Sequence, residues 1–237
     1  SVSVGNRWLE VRETLASDPG FYGSATANIS DGWANFTYAP QDGDSAGVRS
    51  YLQPYMSRRI SQDVSDTGFV MEFDFEVGSS GRIRQFFGLA NSQEGQINAP
   101  YGSGNSSNPV LIPRSGLGIE LAKSGASQGS STINFWEFSG DAEFSYEDPG
   151  ADELRGSVRL TKFQFDPMDQ YHITFAVAED GFATVVVSNG TVSETFHAAF
   201  NMTSTQLNSV VASSFEMAST SVDVISFDNI QVSEFIL

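Results

Sequence analysis

The sequence predicts an all-β protein, a two-sheet antiparallel jelly-roll sandwich. Three observations carry this: short segments alternate apolar and polar residues, turn formers punctuate them closely, and helical periodicity is scarce. The 237 residues suit one large sandwich, residues 1–237, better than two domains. A hydrophobic fraction of 40%, with 19 Phe and 7 Tyr, gives such a sandwich an aromatic-rich core. No internal repeat and no Pro-rich linker divides the chain.

In chain order, Trp8–Thr14 and Trp33–Tyr38 read as early edge or pairing strands. Gly68–Val77 is a long alternating strand and Ile83–Ala90 another, separated by a turn at Gly78–Gly81. Leu117–Lys123 and Ile133–Phe138 form a further pair around the Gly- and Ser-rich Ser124–Ser131, and Ser157–Phe165 follows. The clearest stretch runs from Gln170 to Phe200. Tyr171–Ala178 alternates, Glu179-Asp180-Gly181 turns the chain, Phe182–Ser188 follows, Asn189-Gly190 suggests a type I′ turn, and Thr191–Phe196 returns. Ser204–Val211 is the best helical candidate, at one or two turns, and Val222–Phe235 closes the set. Ten or more strands without long helices imply a sandwich or barrel, because each antiparallel sheet must bury one face. Two long segments read as loops where function would sit: Asn91–Pro113 and the acidic Ser139–Gly156.

Charge and composition narrow the function classes. With 29 acidic against 12 basic residues the net charge is −17, which excludes nucleic acid as a partner, since phosphate binding needs concentrated Lys and Arg. Such acidity suits salty water, where ions screen self-repulsion, and points to a saline extracellular setting. There is no cysteine, hence no disulfide framework and no thiol chemistry. The start at Ser1 reads as a processed N-terminus, and no apolar run is long enough for membrane insertion. The expectation is an extracellular or cell-surface protein. Five sequons, at Asn28, Asn35, Asn105, Asn189 and Asn201, permit glycosylation.

Three segments carry a resemblance. Phe69-Val70-Met71-Glu72-Phe73-Asp74-Phe75-Glu76, then Phe86-Phe87-Gly88-Leu89, then Ile225-Ser226-Phe227-Asp228-Asn229-Ile230-Gln231-Val232 resemble strands of the concanavalin A-like jelly-roll superfamily, which includes laminin-G-like modules, lectins and glucanases. With the meander between Tyr171 and Phe200, the likeness extends over most of the chain after about residue 68. The first 60 residues match nothing nameable. The resemblance implies a carbohydrate-recognition domain for a polysaccharide.

Chemistry-bearing constellations refine that expectation. Glu72, Asp74 and Glu76 alternate with Phe73, Phe75 and Val77, which puts three carboxylates on one strand face. The spacing is similar to the motif of family 16 glycoside hydrolases. That likeness implies Glu72 as nucleophile, Asp74 as the helper that tunes protonation and Glu76 as general acid/base. An amphipathic strand with a solvated acidic face explains the same pattern, and Phe69-Val70-Met71 lacks the family's fuller signature.

Arg49, Arg58, Arg59, Arg82 and Arg84 cluster early, and Arg82 and Arg84 share a strand face suited to gripping an acidic polysaccharide. A polysaccharide lyase would draw its base from Tyr51, Tyr55, Tyr171, His172 or Lys162. Trp33 and Trp136 are candidate platforms for sugar rings, although both faces of the strand around Trp136 carry aromatics, so a core Trp explains the pattern equally well. The two His form no ligand cluster, and no phosphate-binding Gly loop is present, so zinc, haem and nucleotide cofactors are not expected. A structural calcium is the one metal expected. Asp228 in the closing strand is its candidate ligand, and Asp141, Glu143, Glu147, Asp148, Asp152 and Glu153 offer a second hard-cation site. Self-association through edge strands, as in a surface or fibre subunit, is a further reading.

Overall fold

The computed structural model describes residues 10–12, 23–30, 33–40, 55–78, 82–94, 96–101, 108–123, 130–139, 154–167, 169–203, 206–218 and 223–235. Among the described residues there are sixteen strands and no helix. The first eight are β1 (Glu10–Arg12), β2 (Gly23–Ser30), β3 (Trp33–Pro40), β4 (Tyr55–Arg59), β5 (Phe69–Val77), β6 (Arg82–Ala90), β7 (Gln96–Tyr101) and β8 (Asn108–Pro113). The rest are β9 (Ser115–Lys123), β10 (Ser131–Ser139), β11 (Leu154–Arg159), β12 (Gln170–Val177), β13 (Phe182–Ser188), β14 (Ser193–Ala199), β15 (Ser209–Ala218) and β16 (Asp223–Glu234).

They form two seven-stranded antiparallel sheets and a hairpin. Sheet 1 has the order β1-β4-β15-β6-β9-β10-β11, sheet 2 the order β14-β13-β12-β5-β16-β3-β2, and β7 pairs only with β8. The expected antiparallel jelly-roll sandwich is therefore present. In both sheets the early strands reach the middle of the chain only through a late one: β15 lies between β4 and β6, and β16 between β3 and β5.

Period-two burial builds the core. Along β5, Phe69, Met71, Phe73, Phe75 and Val77 point inward while Val70, Glu72, Asp74 and Glu76 alternate outward. Phe87 of sheet 1 meets three rings of sheet 2: Phe73 at 4.6 Å, Phe227 at 5.2 Å and Phe75 at 5.8 Å between centroids. Each such side chain contributes about 1.5–3 kcal/mol on burial, and each edge or tilted pair roughly 0.5–1.5 kcal/mol more.

Sheet 1 is buried on its outer face as well, which is why β9 and most of β10 show no exposed alternation. The β7–β8 hairpin contributes to that cover: β8 packs beside β15, and Ile112 is fully buried.

Several sequence expectations are corrected. Residues 206–208 are not helical and β15 begins at Ser209, because Val210 and Ala212 face Leu89 and Phe87 across a sheet, and long-range pairing outweighs a weak local helical preference. Asn189-Gly190 does join neighbouring antiparallel strands, but not by a two-residue type I′ turn. Ser188 pairs with Ser193 around a four-residue loop, and Gly190 alone takes positive φ, at 83°, where type I′ needs two such residues. The Asn189 side chain closes the loop by accepting from the amides of Thr191 (3.1 Å) and Val192 (2.9 Å). The strand expected over Ser157–Phe165 ends at Arg159, since Thr161 and Lys162 turn to donate their amides to Glu194. Part of Asn91–Pro113 forms β7 and β8 instead of loop. Of Trp8–Thr14, only Glu10–Arg12 falls within the described residues, and most of the acidic Ser139–Gly156 segment lies outside them.

Candidate functional site

The outer face of sheet 1 holds a buried polar network. Arg84, Phe86 and Gly88 of β6, Gly116, Gly118 and Glu120 of β9, and Asn134, Trp136 and Phe138 of β10 share this face by register. Glu120 is 0% exposed. Its carboxylate accepts from Trp136 Nε1 (2.8 Å), Asn134 Nδ2 (3.0 Å) and Arg84 Nε (2.9 Å). Asn134 in turn accepts from Ser157 Oγ at 2.6 Å. A carboxylate taken out of water at this depth is tolerable only when paired and hydrogen-bonded, and Arg84, still 25% exposed, carries the compensating charge to the surface.

Glycines let the aromatic layer lie close to the sheet. A Cβ on Gly118 would stand 2.6 Å from Phe86 Cζ and 2.4 Å from the Phe87 carbonyl oxygen. Phe86 packs edge-on against Phe138, at 5.5 Å between centroids, and Phe138 stacks on Trp136 at 6.3 Å and 6°.

The structure thus gathers two residues singled out in the sequence, Arg84 and Trp136, on a third that was missed, Glu120. The available signal was a lone acid inside the apolar run Leu117–Ala122. Trp136 is corrected as a sugar platform: at 2% exposure, with its N–H spent on Glu120 and its ring against Phe138, it offers no open face. Arg82 opens β6, its backbone paired with Ala218 of β15. Trp33 opens β3 in the other sheet, half-buried, with its carbonyl accepting from Asn35 Nδ2 at 3.0 Å, so it does not join the group.

The acidic triplet stands on the outer face of sheet 2. Glu72, Asp74 and Glu76 lie opposite Thr174, His172 and Gln170 of β12. His172 Nδ1 is 2.9 Å from Asp74 Oδ1 and its Nε2 is 3.9 Å from Glu72 Oε1, while Asn229 Nδ2 donates to Asp74 Oδ2 at 2.6 Å. Asn229 reaches Asp74 from a bulge in β16, at φ 54°. Glu72 is 43% exposed.

The lyase candidates are scattered. Burial pushes the Tyr171 hydroxyl up to about 12, with the Asp166 amide opposing and the charges of Asp169 and Asp166 adding to the rise. That hydroxyl accepts from Asp166 N (2.6 Å) and donates to the Gln164 carbonyl (2.7 Å), a structural clamp. Tyr55 is buried on the outer face of sheet 1, Lys162 donates to the Ser193 carbonyl at 2.8 Å, and Tyr51 and Arg49 lie outside the described residues.

Two other buried carboxylates tie loops together. Glu137 binds Arg155 Nε (2.7 Å) and accepts the amides of Asn201 and Thr203, both at 2.8 Å. Burial acts to raise the Glu194 carboxyl, but the amides of Lys162 and Thr161, the Thr161 hydroxyl and the Lys162 charge together carry it below the usual carboxylate range. Asp228 lies opposite Asp74, and its charge partly offsets the lowering of the Arg58 guanidinium by burial.

These occupied oxygens bear on calcium. Among the described residues no group of three His, Asp or Glu could hold a metal ion, and the carboxylates of Glu120, Glu137 and Glu194 are already met by protein donors. Asp228 stands opposite Asp74 and belongs to no such group. Asp141, Glu143, Glu147, Asp148, Asp152 and Glu153 lie outside them.

Two surface depressions lie among the described residues. One, of about 290 Å³, is polar and lies where the chain enters and leaves sheet 1 at Arg59, Gln93 and Asn208. The other, of about 570 Å³, is walled by Phe182 and Phe235 beside Glu179 and Asp180. Phe182 is 52% exposed and stacks on His197 at 5.3 Å.

No family model matches the chain, and no curated protein matches it in sequence. Solved structures do match in shape. The VIP36 exoplasmic/lumenal domain in its Ca2+/Man3GlcNAc-bound form is 11% identical with a TM-score of 0.53, over 92% of this chain and 85% of that one. A legume lectin-like domain from Entamoeba histolytica is 8% identical with a TM-score of 0.53, over 90% and 88%. Lectin I-B4 from Griffonia simplicifolia, in metal-free form, is 12% identical with a TM-score of 0.53, over 93% and 95%. Identities this low speak for the fold alone, which is the concanavalin A-like jelly roll shared by these lectin domains.

Proposed function

We propose that this chain, a concanavalin A-like jelly roll, is an extracellular carbohydrate-recognition domain that holds a polysaccharide where Arg84 emerges from the covered outer face of sheet 1. The observation that carries the reading is Arg84 anchored on buried Glu120 beside Asn134 and Trp136. A guanidinium held in place by a buried carboxylate is oriented before a hydroxyl or carboxylate ligand arrives, and the ligand need not order it on binding. The lectin neighbours support a sugar ligand, and the exoplasmic/lumenal setting of the VIP36 domain supports the location, as does a net charge of −17.

The test is retention on a panel of insoluble polysaccharides, with Arg84→Ala as the variant and EDTA as a second arm. Retention that Arg84→Ala reduces at least tenfold, in a chain that still melts cooperatively, supports the proposal; undiminished retention refutes it. Polysaccharide cleavage at Glu72, Asp74 and Glu76 is tested in the same samples. Binding without cleavage expects no reducing ends and no change in Glu72→Gln, whereas reducing ends lost in Glu72→Gln would make the chain a hydrolase. Assembly through the edge strands β2 and β14 would instead give ordered polymers with no glycan preference.

A further inference from the structure

The 290 Å³ depression is close to the lower size of ligand pockets, about 300 Å³, which is room for one sugar ring. It forms where three distant parts of the chain meet: the end of β4 with the turn beyond it, the exit of β6, and the entry to β15. Most of its polar side chains are fixed in advance. Gln62 Nε2 donates to Glu234 Oε1 at 2.6 Å. Asn208 accepts the Ser92 amide at 2.8 Å and donates to Gln206 Oε1 at 3.3 Å. Asp63 Oδ1 accepts the amides of Ser65 (3.0 Å) and Leu207 (2.8 Å).

Arg59 is the charged side chain of the lining left without such a partner. It is exposed at the end of β4, lines the depression, and among the described residues no ion pair or side-chain hydrogen bond engages its guanidinium.

This combination selects a ligand chemistry. Guanidinium grips a carboxylate in bidentate fashion, the amides of Gln93 and Gln206 can each donate and accept, and Asp63 accepts from hydroxyls. A neutral sugar would leave Arg59 without a counter-charge. A bare sulfate would satisfy Arg59 but bring no hydroxyl donor to Asp63. A uronic acid residue carries both groups on one ring. We propose that the depression is a second saccharide subsite selective for a uronic acid, with Arg59 on its carboxylate and Asp63 and the amides on its hydroxyls. Its residues are separate from those around Glu120, so the two sites stand or fall independently.

The experiment is calorimetric titration of the whole chain with trimers of galacturonic, glucuronic, mannuronic and guluronic acid and with their methyl esters, which keep the ring and remove the charge. At least one acid trimer is expected to bind, with a tenfold or greater loss on esterification and in Arg59→Ala, and partial recovery in Arg59→Lys. Asp63→Asn, checked for an unchanged melting temperature, is expected to weaken the acid and ester forms alike. No binding by any acid trimer, equal binding of acid and ester, or full binding by Arg59→Ala overturns the proposal. Retention on neutral polysaccharide is read alongside, and Arg59→Ala is expected to leave it intact, so that failure here and failure at Arg84 are told apart.

Discussion

Replacing Arg84 by Met tests whether the Glu120 network is held by charge or by packing. The substitution keeps the aliphatic stem and removes the guanidinium 2.9 Å from a carboxylate that is 0% exposed. Breaking a buried ion pair by deleting one partner costs about 3–5 kcal/mol. Two features favour the lower end: Arg84 is 25% exposed, so water screens part of the interaction, and Glu120 keeps the Trp136 and Asn134 donors. We expect a loss of about 3 kcal/mol, which for a domain of this size lowers Tm by about 6–12 °C. The discriminating variant is the double mutant with Glu120→Gln, which removes the orphaned charge. If charge compensation is the cause, thermal and urea melts of the cycle give a coupling of about 2 kcal/mol. Additive single mutants, with coupling under roughly 0.5 kcal/mol, would show that Arg84 contributes only its stem.

Three further outcomes follow from buried groups and the hairpin loop. Glu194→Gln leaves part of a three-donor cradle without its acceptor and is expected to cost about 1–3 kcal/mol. Because the native carboxyl sits below its unfolded value of about 4.3, its stabilisation is present above that pH and lost as pH falls through the native value; an acid titration of the variant should lack this component. Tyr171, raised to about 12 against about 10 unfolded, contributes stability that is full below pH 10 and lost as pH rises through 12. Tyr171→Phe should flatten that alkaline limb, and an unchanged slope in urea melts would contradict the assignment. Gly190→Ala places a side chain at φ 83° with nothing within 4 Å, so the cost is backbone strain alone, about 1–2 kcal/mol by denaturant midpoint; no change would mean that the loop relaxes away from positive φ.

The sandwich was legible where alternation was strong. Phe69–Val77 and Tyr171–Ser188 declare their buried faces residue by residue, and the Asn189-Gly190 pair marks the bend between strands even though its turn type was misread. Strand β2, Gly-Ser-Ala-Thr-Ala-Asn-Ile-Ser, was not legible, because small residues of low β preference carry little pattern and pairing with β3 supplies the order. Pro100, Pro109 and Pro113 argued for loop, and a two-stranded hairpin tolerates them because they need not donate to a central ladder. At the site, Arg84 and Trp136 stood out by residue type. Glu120 did not, since one acid among 29 is inconspicuous until burial is known. The Arg59 depression draws on positions 59–63, 92–93 and 206–208, and no local pattern connects them.

The placement of β15 and β16 has a consequence during synthesis. As the chain emerges from the ribosome, β5, β12, β13 and β14 can zip into one half-layer and β6, β9, β10 and β11 into the other, each from its own stretch of sequence. Strands β1 to β4, although made first, have no docking edge until residues 209–234 arrive to wedge between them and that nucleus. Until then the flanks of β5 and β6 stay open to pairing with another nascent chain, a hazard of late closure in folds dominated by distant contacts. A chain stopped before Ser209 should therefore carry a partly formed nucleus with its oldest segment trailing loose, and the final wedge turns vectorial growth into a single cooperative closure.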